Sequence, residues 1–197
     1  YNSRIENLAE VAADAIILCN ASQAASFDCL PWLTLEEVRG QITKISANEH
    51  TAKIKSNIHY GGYISCPQDG SNVIGATFQK WIGHTDILEE DHDRNLTHMQ
   101  EAVPFLSDQI FEVTTGWAGI RTASNDRFPL VGAVPGLDRL YISCAFGSHG
   151  IVGSHAAAHY IADLIRDGTV SLSQDASNAL IPQRFLERAK KKQGMVS

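Results

Sequence analysis

The stretch AFGSHGIVGSHAAAHYIADLI, residues 145–165, decides how the chain is expected to fold. The residues before it, RLYISCAF, have the apolar pattern of a strand, and three closely spaced glycines then favour a turn. From Ile151 onward, the apolar spacing predicts a helix that ends near Arg166. A strand, a glycine turn and a helix N-terminus together direct free backbone N–H groups at an electron-rich ligand.

Two familiar ligands of such a unit do not fit these residues. His155 and His159 are one helical turn apart, but a zinc-protease helix needs Glu where Ala156 stands, and no third ligand is near in sequence. The glycines follow the spacing GxxGxxG, whereas a dinucleotide fingerprint requires GxGxxG. The sequence therefore predicts no metal site and no dinucleotide-phosphate loop at this position.

The composition limits the class of protein. The 197 residues, 44% hydrophobic and 19% charged, can bury the core of one compact domain or of two small ones. Four widely spaced cysteines without a CxxC motif indicate reduced thiols in a cytoplasmic protein. No apolar run approaches a membrane span, and no signal peptide is visible. A net charge of -6 argues against a generally basic nucleic-acid surface, although RFLERAKKKQG near the end is locally basic.

The order of the predicted elements indicates an α+β fold. Between residues 31 and 114, VRGQITKIS, TAKIKSNIHY, GYISC and VIGATF predict strands of a mostly antiparallel sheet. A helix is expected over 85–103, where carboxylates and histidines indicate a solvated acidic face rather than a metal cluster. Residues 1–30 and 115–197 supply a first strand, the strand–turn–helix unit, a turn-rich link (NDRFPLVGAVPG) and a last helix. The sheet is thus inserted between pieces of an α/β layer.

Three blocks resemble the D-amino-acid oxidase-like superfamily of FAD-dependent oxidoreductases, which includes glycine and sarcosine oxidases. They are GYISCPQDGSNVIGATF, GWAGIRTASNDRFPLVG and the opening stretch. VRGQI, FGSHGI and LIPQRFLERAKKK more closely resemble the C-terminal oxidoreductase part of the bifunctional tRNA 5-methylaminomethyl-2-thiouridine biosynthesis proteins. The N-terminal GxGxxG unit and the methyltransferase domain of that family are missing, and the chain opens without Met. We therefore expect a fragment with an incomplete FAD-binding domain that, by itself, holds no FAD and is inactive.

The resemblance implies two sets of FAD contacts. At the glycine turn, N–H groups of a helix N-terminus would stabilise the negative charge that grows on the flavin ring during hydride transfer. The second set follows the strand that passes the cofactor, and small side chains selected for packing are the alternative there. The two sets are Gly147, Ser148, His149, Gly150 and Ile151, and Asn20, Ala21 and Ser22.

The resemblance also implies substrate contacts. Arg121, at the end of GWAGIRT, would bind the substrate carboxylate, because a guanidinium fork fixes both its position and its orientation. The alternative is a surface ion pair with Asp126. Tyr63 matches a residue that lines the substrate pocket, with a half-buried strand tyrosine as the alternative. Arg39 and Gln41 match positions at flavin edges or substrate, with ordinary strand positions as the alternative. Two tryptophans, Trp81 and Trp117, are expected in the core or the pocket wall.

The implied function is oxidation of 5-carboxymethylaminomethyl(-2-thio)uridine at the tRNA wobble position. This nucleoside carries an N-alkylglycine whose CH2 would lose a hydride to FAD, after which hydrolysis of the imine releases glyoxylate. A glycine- or sarcosine-type amine oxidase and a flavin-free fragment that binds RNA or a partner are the alternatives. The basic end predicts contacts to tRNA phosphates, with a solvated helix end as the alternative. The candidate RNA-binding residues are Arg184, Arg188, Lys190, Lys191 and Lys192.

Overall fold

The computed structural model describes residues 5–166 and 172–194, with side chains as far as residue 191. The chain divides into two compact units. The split unit comprises Tyr1–Glu37 and Arg121–Ser197, and the inserted unit comprises Val38–Ile120. Both boundaries lie further along the chain than residues 30 and 114, because each falls inside a long strand, β2 (Glu36–Ser46) or β6 (Val113–Ala123).

A three-stranded sheet forms the centre of the split unit, in the order β1 (Ile16–Leu18), β8 (Leu140–Cys144) and β7 (Leu130–Ala133). Strand β1 is parallel to β8, with Ile16 opposite Leu140, and β7 is antiparallel to β8. The sequence had predicted only a turn-rich link where β7 forms. Residues 130–133 form a strand because they pair with β8 across a short turn, and their own sequence pattern does not indicate a strand.

Three helices complete the described part of the split unit: α2 (Gly150–Arg166), α3 (Gln174–Leu180) and α4 (Gln183–Gly194). The side chains of alternating β7 residues point to opposite faces of the sheet. Val131 packs with Ala157 and Tyr160 of α2, whereas Leu130 belongs to a separate core that Phe185 of α4 also enters. Helix α2 and helix α4 therefore pack on different hydrophobic clusters of the unit.

The inserted unit is a five-stranded sheet with one helix against it. The strand order is β3-β4-β5-β2-β6, and the pairs β3–β4, β4–β5 and β2–β5 are antiparallel. The strands are β2 (Glu36–Ser46), β3 (Ile58–His59), β4 (Tyr63–Ile64), β5 (Ser71–Gly75) and β6 (Val113–Ala123), and the helix is α1 (Glu89–Ala102). Ile45, Ile64 and Ile74 are fully buried with Met99 of α1, so the predicted α+β class with a mostly antiparallel sheet is confirmed.

Two local predictions for the inserted unit are wrong. TAKIKSNIHY was expected to be one strand, but a short 3-10 helix, Thr51–Lys53, precedes the two-residue β3. The Asn48 carboxamide accepts the N–H groups of His50 and Thr51 at 3.0 Å each and so starts that helix. Helix α1 begins at Glu89 rather than near residue 85, because the segment before it is tied down by the buried side chains described below.

Candidate functional site

The turn between β8 and α2 is defined by its backbone. Gly147 has a φ of +56°, a left-handed conformation that favours glycine, and its N–H donates to the Thr122 carbonyl at 2.9 Å. The His149 N–H donates to the Phe146 carbonyl at 3.0 Å and closes the turn just before α2. A Cβ on Gly147 would meet nothing within 4 Å, so the space beside this residue is open.

Gly153 has a different role from Gly147. A Cβ at this position would lie 3.1 Å from Cδ1 of Phe146, which is closer than ordinary contact. The absence of a side chain therefore lets the Phe146 ring pack against the first turns of α2. Glycine is thus favoured at Gly147 by the backbone conformation and at Gly153 by packing.

The first turn of α2 presents both apolar and polar groups to solvent. The side chains of Ile151 and Val152 are 95% and 83% exposed, and Ser148 and His149 are exposed as well. The Gly153 N–H donates to the His149 carbonyl at 2.8 Å, so the N–H groups of the residues before it point out of the helix. A flat apolar ring with an electron-rich edge would meet matching groups at this place.

The second predicted set, Asn20 to Ser22, follows β1. Ala21 has a φ of +53° and begins the 3-10 helix Ala21–Ser26. Asn20 and Ala21 are exposed and Ser22 is half-buried. Asn20 also lines a groove of about 740 Å³ that runs along β1. The small side chains therefore lie at an accessible surface, not in a packed core.

Arg121 lies near the end of β6 and is half-buried. The alternative prediction paired it with Asp126. The Asp126 carboxylate binds Arg184 at 2.9 Å and Arg188 at 2.6 Å. Asp126 is therefore the attachment point of α4.

The Arg184 guanidinium makes all its hydrogen bonds within the split unit. Its Nε and Nη2 donate to Asp126, its Nη1 donates to the carbonyls of Leu180 and Ile181, and its Nη2 also reaches the carbonyls of Phe128 and Pro129. A guanidinium has five N–H donors, and all are committed to protein acceptors. The prediction that Arg184 binds tRNA phosphate is therefore corrected: this residue fastens α4 to the turn after β6.

The other basic residues of α4 differ from Arg184. The Arg188 side chain is 53% exposed, although its Nη1 bonds to Asp126. Lys190 and Lys191 are exposed. The side chain of Lys192 lies outside the described residues. Accessible positive charge on α4 is thus carried by residues beyond Arg184.

Hydrogen bonds decide the charge state of Asp126. Burial on its own would raise the pKa of this carboxyl, but hydrogen bonds from Arg184, Ser124, Arg188 and the Phe128 N–H outweigh it and hold the pKa well below its usual range. Asp126 is therefore ionised at neutral pH and binds both arginines as an anion.

In the inserted unit, Arg39 and Gln41 belong to a buried polar network. Arg39 is fully buried and donates to Gln79, to Asp91 of α1 and to Gln41, while Gln79 donates to Asp91 at 3.0 Å. The Gln41 carboxamide donates to the Leu88 carbonyl at 2.8 Å and accepts the Leu88 N–H at 2.9 Å. These bonds hold the residues before α1 in an extended path and delay the start of the helix.

This burial decides what Arg39 and Gln41 are able to do. Neither side chain is exposed, and their described partners are groups of the same unit. Of the two alternatives that the sequence left open, the contacts favour a structural position in the strand. Arg39 and Gln41 are therefore assigned a positioning role only, in which they stabilise the sheet from the side that packs against α1.

The sheet of the inserted unit has an open face on the side away from α1. Ile64 and Ile74 pair across the strands on the α1 side, so the next pair in register, Tyr63 and Gly75, lies on the other side. Trp117 is also on this side, because its neighbour Gly116 lies against His92 of α1. Phe78 also lies on this side, because its neighbour Gln79 faces Asp91 of α1. We call the surface formed by Tyr63, Ile42, Trp117 and Phe78 the open face.

Aromatic rings dominate the open face. Trp117 is 65% exposed and lies across Gly119, where a Cβ would come within 2.4 Å of the indole. Phe78 is 61% exposed. A core position is therefore wrong for Trp117 and also for Trp81, which is 78% exposed, whereas a place in a pocket wall stays a prediction for both. The Trp-x-Gly spacing of Trp117 and Gly119 was the available sequence signal for an indole lying flat along a strand.

Tyr63 is positioned by its neighbour Tyr60. The Tyr60 hydroxyl donates to the Tyr63 carbonyl at 3.1 Å. Burial, together with the nearby Tyr63, raises the pKa of Tyr60 to about 12, so this phenol is neutral and available as a donor at neutral pH. Strand β4, which carries Tyr63 between β3 and β5, is thereby held in place.

Neither a metal cluster nor a membrane-spanning helix occurs in the part of the chain that the structure describes. In residues 5–166 and 172–194, no three His, Cys, Asp or Glu side chains come together in a way that would hold a metal ion. The rings of His155 and His159 contact each other edge to face, with centroids 4.7 Å apart. Within the same described ranges, none of the helices has both the length and the apolarity needed to cross a bilayer.

The strand–turn–helix unit and the antiparallel sheet together define the fold of a flavin-dependent oxidoreductase. Residues 2–164 match the model of the DAO family, described as FAD dependent oxidoreductase, and the chain belongs to this family. The D-amino-acid oxidase-like resemblance of the sequence is thus confirmed.

Individual proteins agree with this assignment. The chain is 31% identical to a tRNA 5-methylaminomethyl-2-thiouridine biosynthesis bifunctional protein of Methylobacillus flagellatus, over 89% of this chain and 31% of that protein. It is 29% identical to the protein of the same name from Chromobacterium violaceum, with the same coverage. The chain thus spans about a third of the length of the curated relatives it matches. Among solved structures, glycine oxidase from Geobacillus kaustophilus aligns with a TM-score of 0.69 at 23% identity, over 82% of this chain and 44% of that one.

The residues at the start of α2 fit the cofactor that this family uses. The outward N–H groups of the first helical turn suit the electron-rich edge of a flavin, the exposed Ile151 and Val152 suit its apolar ring, and the open space beside Gly147 leaves room for it.

Proposed function

We propose that this chain is part of an FAD-dependent oxidoreductase that removes the carboxymethyl group from 5-carboxymethylaminomethyl(-2-thio)uridine at the wobble position of tRNA. The observation that carries the proposal is the similarity, over about nine-tenths of this chain, to proteins named for tRNA 5-methylaminomethyl-2-thiouridine biosynthesis. An oxidative step on an N-alkylglycine leads directly to the aminomethyl group in that name.

The proposed cofactor contacts are in the split unit. When bound, FAD supplies the acceptor for the hydride that leaves the glycine CH2. The backbone N–H groups of Gly150 and Ile151 stabilise negative charge beside them, and because that charge grows during the reaction they favour the transition state. Gly147 and the His149 N–H provide the turn that aims them. Asn20 lines the groove along β1, and together with the next residues, Ala21 and Ser22, it is proposed to bind the cofactor.

Arg121 is the proposed ligand of the substrate carboxylate. Its fork makes two parallel hydrogen bonds and so presents the CH2 group in one orientation, which supplies much of the rate of such a transfer. The Asp126 carboxylate, which was the alternative partner, binds Arg184 and Arg188 of α4. Hydride loss from the carbon leaves an imine, and water then cleaves it to glyoxylate and the aminomethyl uridine.

The open face is the proposed contact surface for the nucleobase. Trp117 and Phe78 expose flat rings, and Tyr63 is held by Tyr60. Unstacked bases of RNA bind to such rings by stacking. Arg39 and Gln41 keep the strand beneath these residues straight and do not themselves touch substrate in this proposal.

The proposed setting follows from the same relatives. The partner is tRNA, a methyltransferase domain is fused before this region in the full-length protein, and the reaction takes place in the cytoplasm. The experiment is to incubate the full-length protein with tRNA that carries the carboxymethylaminomethyl group and to analyse its nucleosides by mass spectrometry. Conversion to the aminomethyl nucleoside with one glyoxylate released supports the proposal. Turnover of free glycine or sarcosine, with the tRNA unchanged, would contradict it.

A further inference from the structure

A groove of about 410 Å³ in the split unit has no role in the chemistry described above. It lies between the segment that carries Trp32 and the outer side of α4. Its walls combine two aromatic residues with two cations, Trp32 and Phe185 with Arg188 and Lys191. The chain as a whole has a net charge of -6, so this groove is locally basic on an acidic chain.

The cations of the groove keep a positive charge although Asp126 is near. One carboxylate, Asp126, faces both Arg184 and Arg188, so the three side chains together carry one net positive charge. All N–H donors of Arg184 are hydrogen-bonded to acceptors of the protein. The exposed charge therefore resides on Arg188, and Lys191 adds a second one at the same groove.

Arg188 is also preorganised. Its guanidinium is held by Asp126 at 2.6 Å and lies 5.5 Å from the centre of the Phe185 ring, while more than half of the side chain is exposed. One of its five N–H groups is used in that bond. The others suit the oxygen atoms of a phosphate, which a guanidinium binds through two parallel bonds.

Trp32 provides a stacking surface of fixed position. Its indole is half-buried and packs against the core cluster that contains Leu30 and Phe185. An aromatic ring beside cations is the arrangement by which proteins hold single-stranded nucleic acid, with bases on the rings and phosphates on the charges. An acidic peptide would use the cations but would gain little from a flat indole.

We infer that this groove binds a nucleotide in a single-stranded segment of tRNA, with its phosphate on Arg188 and Lys191 and its base on Trp32. The inference rests on the proposed function for the identity of the RNA. It assigns to the split unit a tRNA contact that is separate from the reacting nucleoside. Substitutions in the groove therefore affect the binding of tRNA and leave a free nucleoside unaffected.

The test measures binding of a tRNA transcript to the full-length protein by fluorescence anisotropy at several salt concentrations. Lys191→Ala should weaken binding several-fold and lower the slope of log K against log salt by about one. Trp32→Leu should weaken binding by about tenfold at an unchanged salt slope, because stacking is not a charge interaction. Trp32→Phe keeps an aromatic face and should stay within about twofold of the parent. Lys55→Ala, an exposed lysine of the inserted unit, is the matched control and should change nothing.

The outcomes separate the groove from the proposed reaction. Unchanged binding in Lys191→Ala and Trp32→Leu overturns the groove, even if the protein oxidises tRNA. Equal losses for Trp32→Leu and Trp32→Phe also overturn it, since a general loss of folding would act in this way. Competition by polyglutamate as strong as by oligouridylate would assign the groove to an acidic protein instead. A parent protein that does not bind tRNA contradicts both the groove and the proposed function.

Discussion

The Arg184 guanidinium lies against the Asp126 carboxylate, with Nε 2.9 Å from Oδ2 and Nη2 3.3 Å from Oδ1. The two residues are 58 positions apart in sequence, so this contact joins the last described helix to the turn after β6. Both side chains are largely shielded, with 11% and 16% of their surfaces exposed. The pair therefore stabilises the position of α4 more than an exposed ion pair would.

Replacement of Asp126 tests this attachment. Asp126→Asn removes the anion and leaves Arg184 partly buried with fewer acceptors, so the free energy of unfolding should fall by about 2 kcal/mol. Urea unfolding at neutral pH measures the change. Asp138→Asn, an exposed aspartate in the turn before β8, should stay within about 0.5 kcal/mol of the parent. Equal stability of Asp126→Asn and the parent would show that the contact contributes nothing.

The lowered pKa of Asp126 adds a dependence on pH. The carboxyl titrates at a lower pH when folded than when unfolded, so its stabilising effect is complete above the unfolded value of about 3.9 and is lost as the pH falls toward the folded value. The advantage of the parent over Asp126→Asn should therefore shrink by about 1 kcal/mol between pH 7 and pH 3. A constant difference between the two proteins over this range would contradict the assignment.

The buried network beneath the sheet should be more sensitive to substitution. Asp91→Asn leaves the Arg39 charge fully buried without its anion, which should destabilise the protein by about 3–5 kcal/mol. Asp93→Asn on the exposed side of the same helix is the matched control and should cost less than about 0.5 kcal/mol. The measurement is the melting temperature of each variant relative to the parent, followed by thermal unfolding. Similar melting temperatures would mean that the network is not a stabilising unit.

The glycine turn offers a comparison of two neighbouring residues. In the full-length protein, Gly147→Ala forces an alanine into a φ of +56° and should lower the free energy of unfolding by roughly 1–2 kcal/mol, with less flavin retained on purification. At Gly150 a Cβ would meet only Phe146 at an ordinary 3.8 Å, so Gly150→Ala should be neutral or slightly stabilising. Flavin absorbance and thermal unfolding are the measurements. The reverse order of the two variants would contradict the role assigned to Gly147.

The carboxylate role of Arg121 is tested by Arg121→Lys in the full-length enzyme. A lysine ammonium is a point charge that does not replace a two-bond fork, so kcat/KM should fall by about two orders of magnitude, or about 2–3 kcal/mol. The flavin content should stay the same, because Arg121 is not among the proposed cofactor contacts. Near-normal activity would remove Arg121 from this role.

Local patterns predicted the elements that carry their own signal. The strand before Gly147 and the helix after it were predicted because their periodicity and glycines are continuous in sequence. Strand β7 was not, since its four residues depend on pairing with β8. The start of α1 was misplaced for a similar reason: Gln41 is 47 positions from Leu88, and no local pattern reports that contact.

The candidate site divides in the same way. Gly147 was identifiable because a left-handed turn requires glycine, and Arg121 because of its place at a strand end in a family motif. The role of Arg184 was not identifiable, because a basic cluster in sequence does not show which cation finds a buried carboxylate. The groove beside Trp32 also escaped prediction, since Trp32 and Lys191 meet only after α4 has packed on the core.

The most direct test of the central claim is to mix the oxidised full-length protein anaerobically with tRNA that carries 5-carboxymethylaminomethyl-2-thiouridine and to follow the flavin absorbance. The account predicts bleaching of the flavin within the first turnover, with tRNA that already carries the aminomethyl group giving none. A flavin that stays oxidised with both tRNAs, yet bleaches with free glycine, would contradict it.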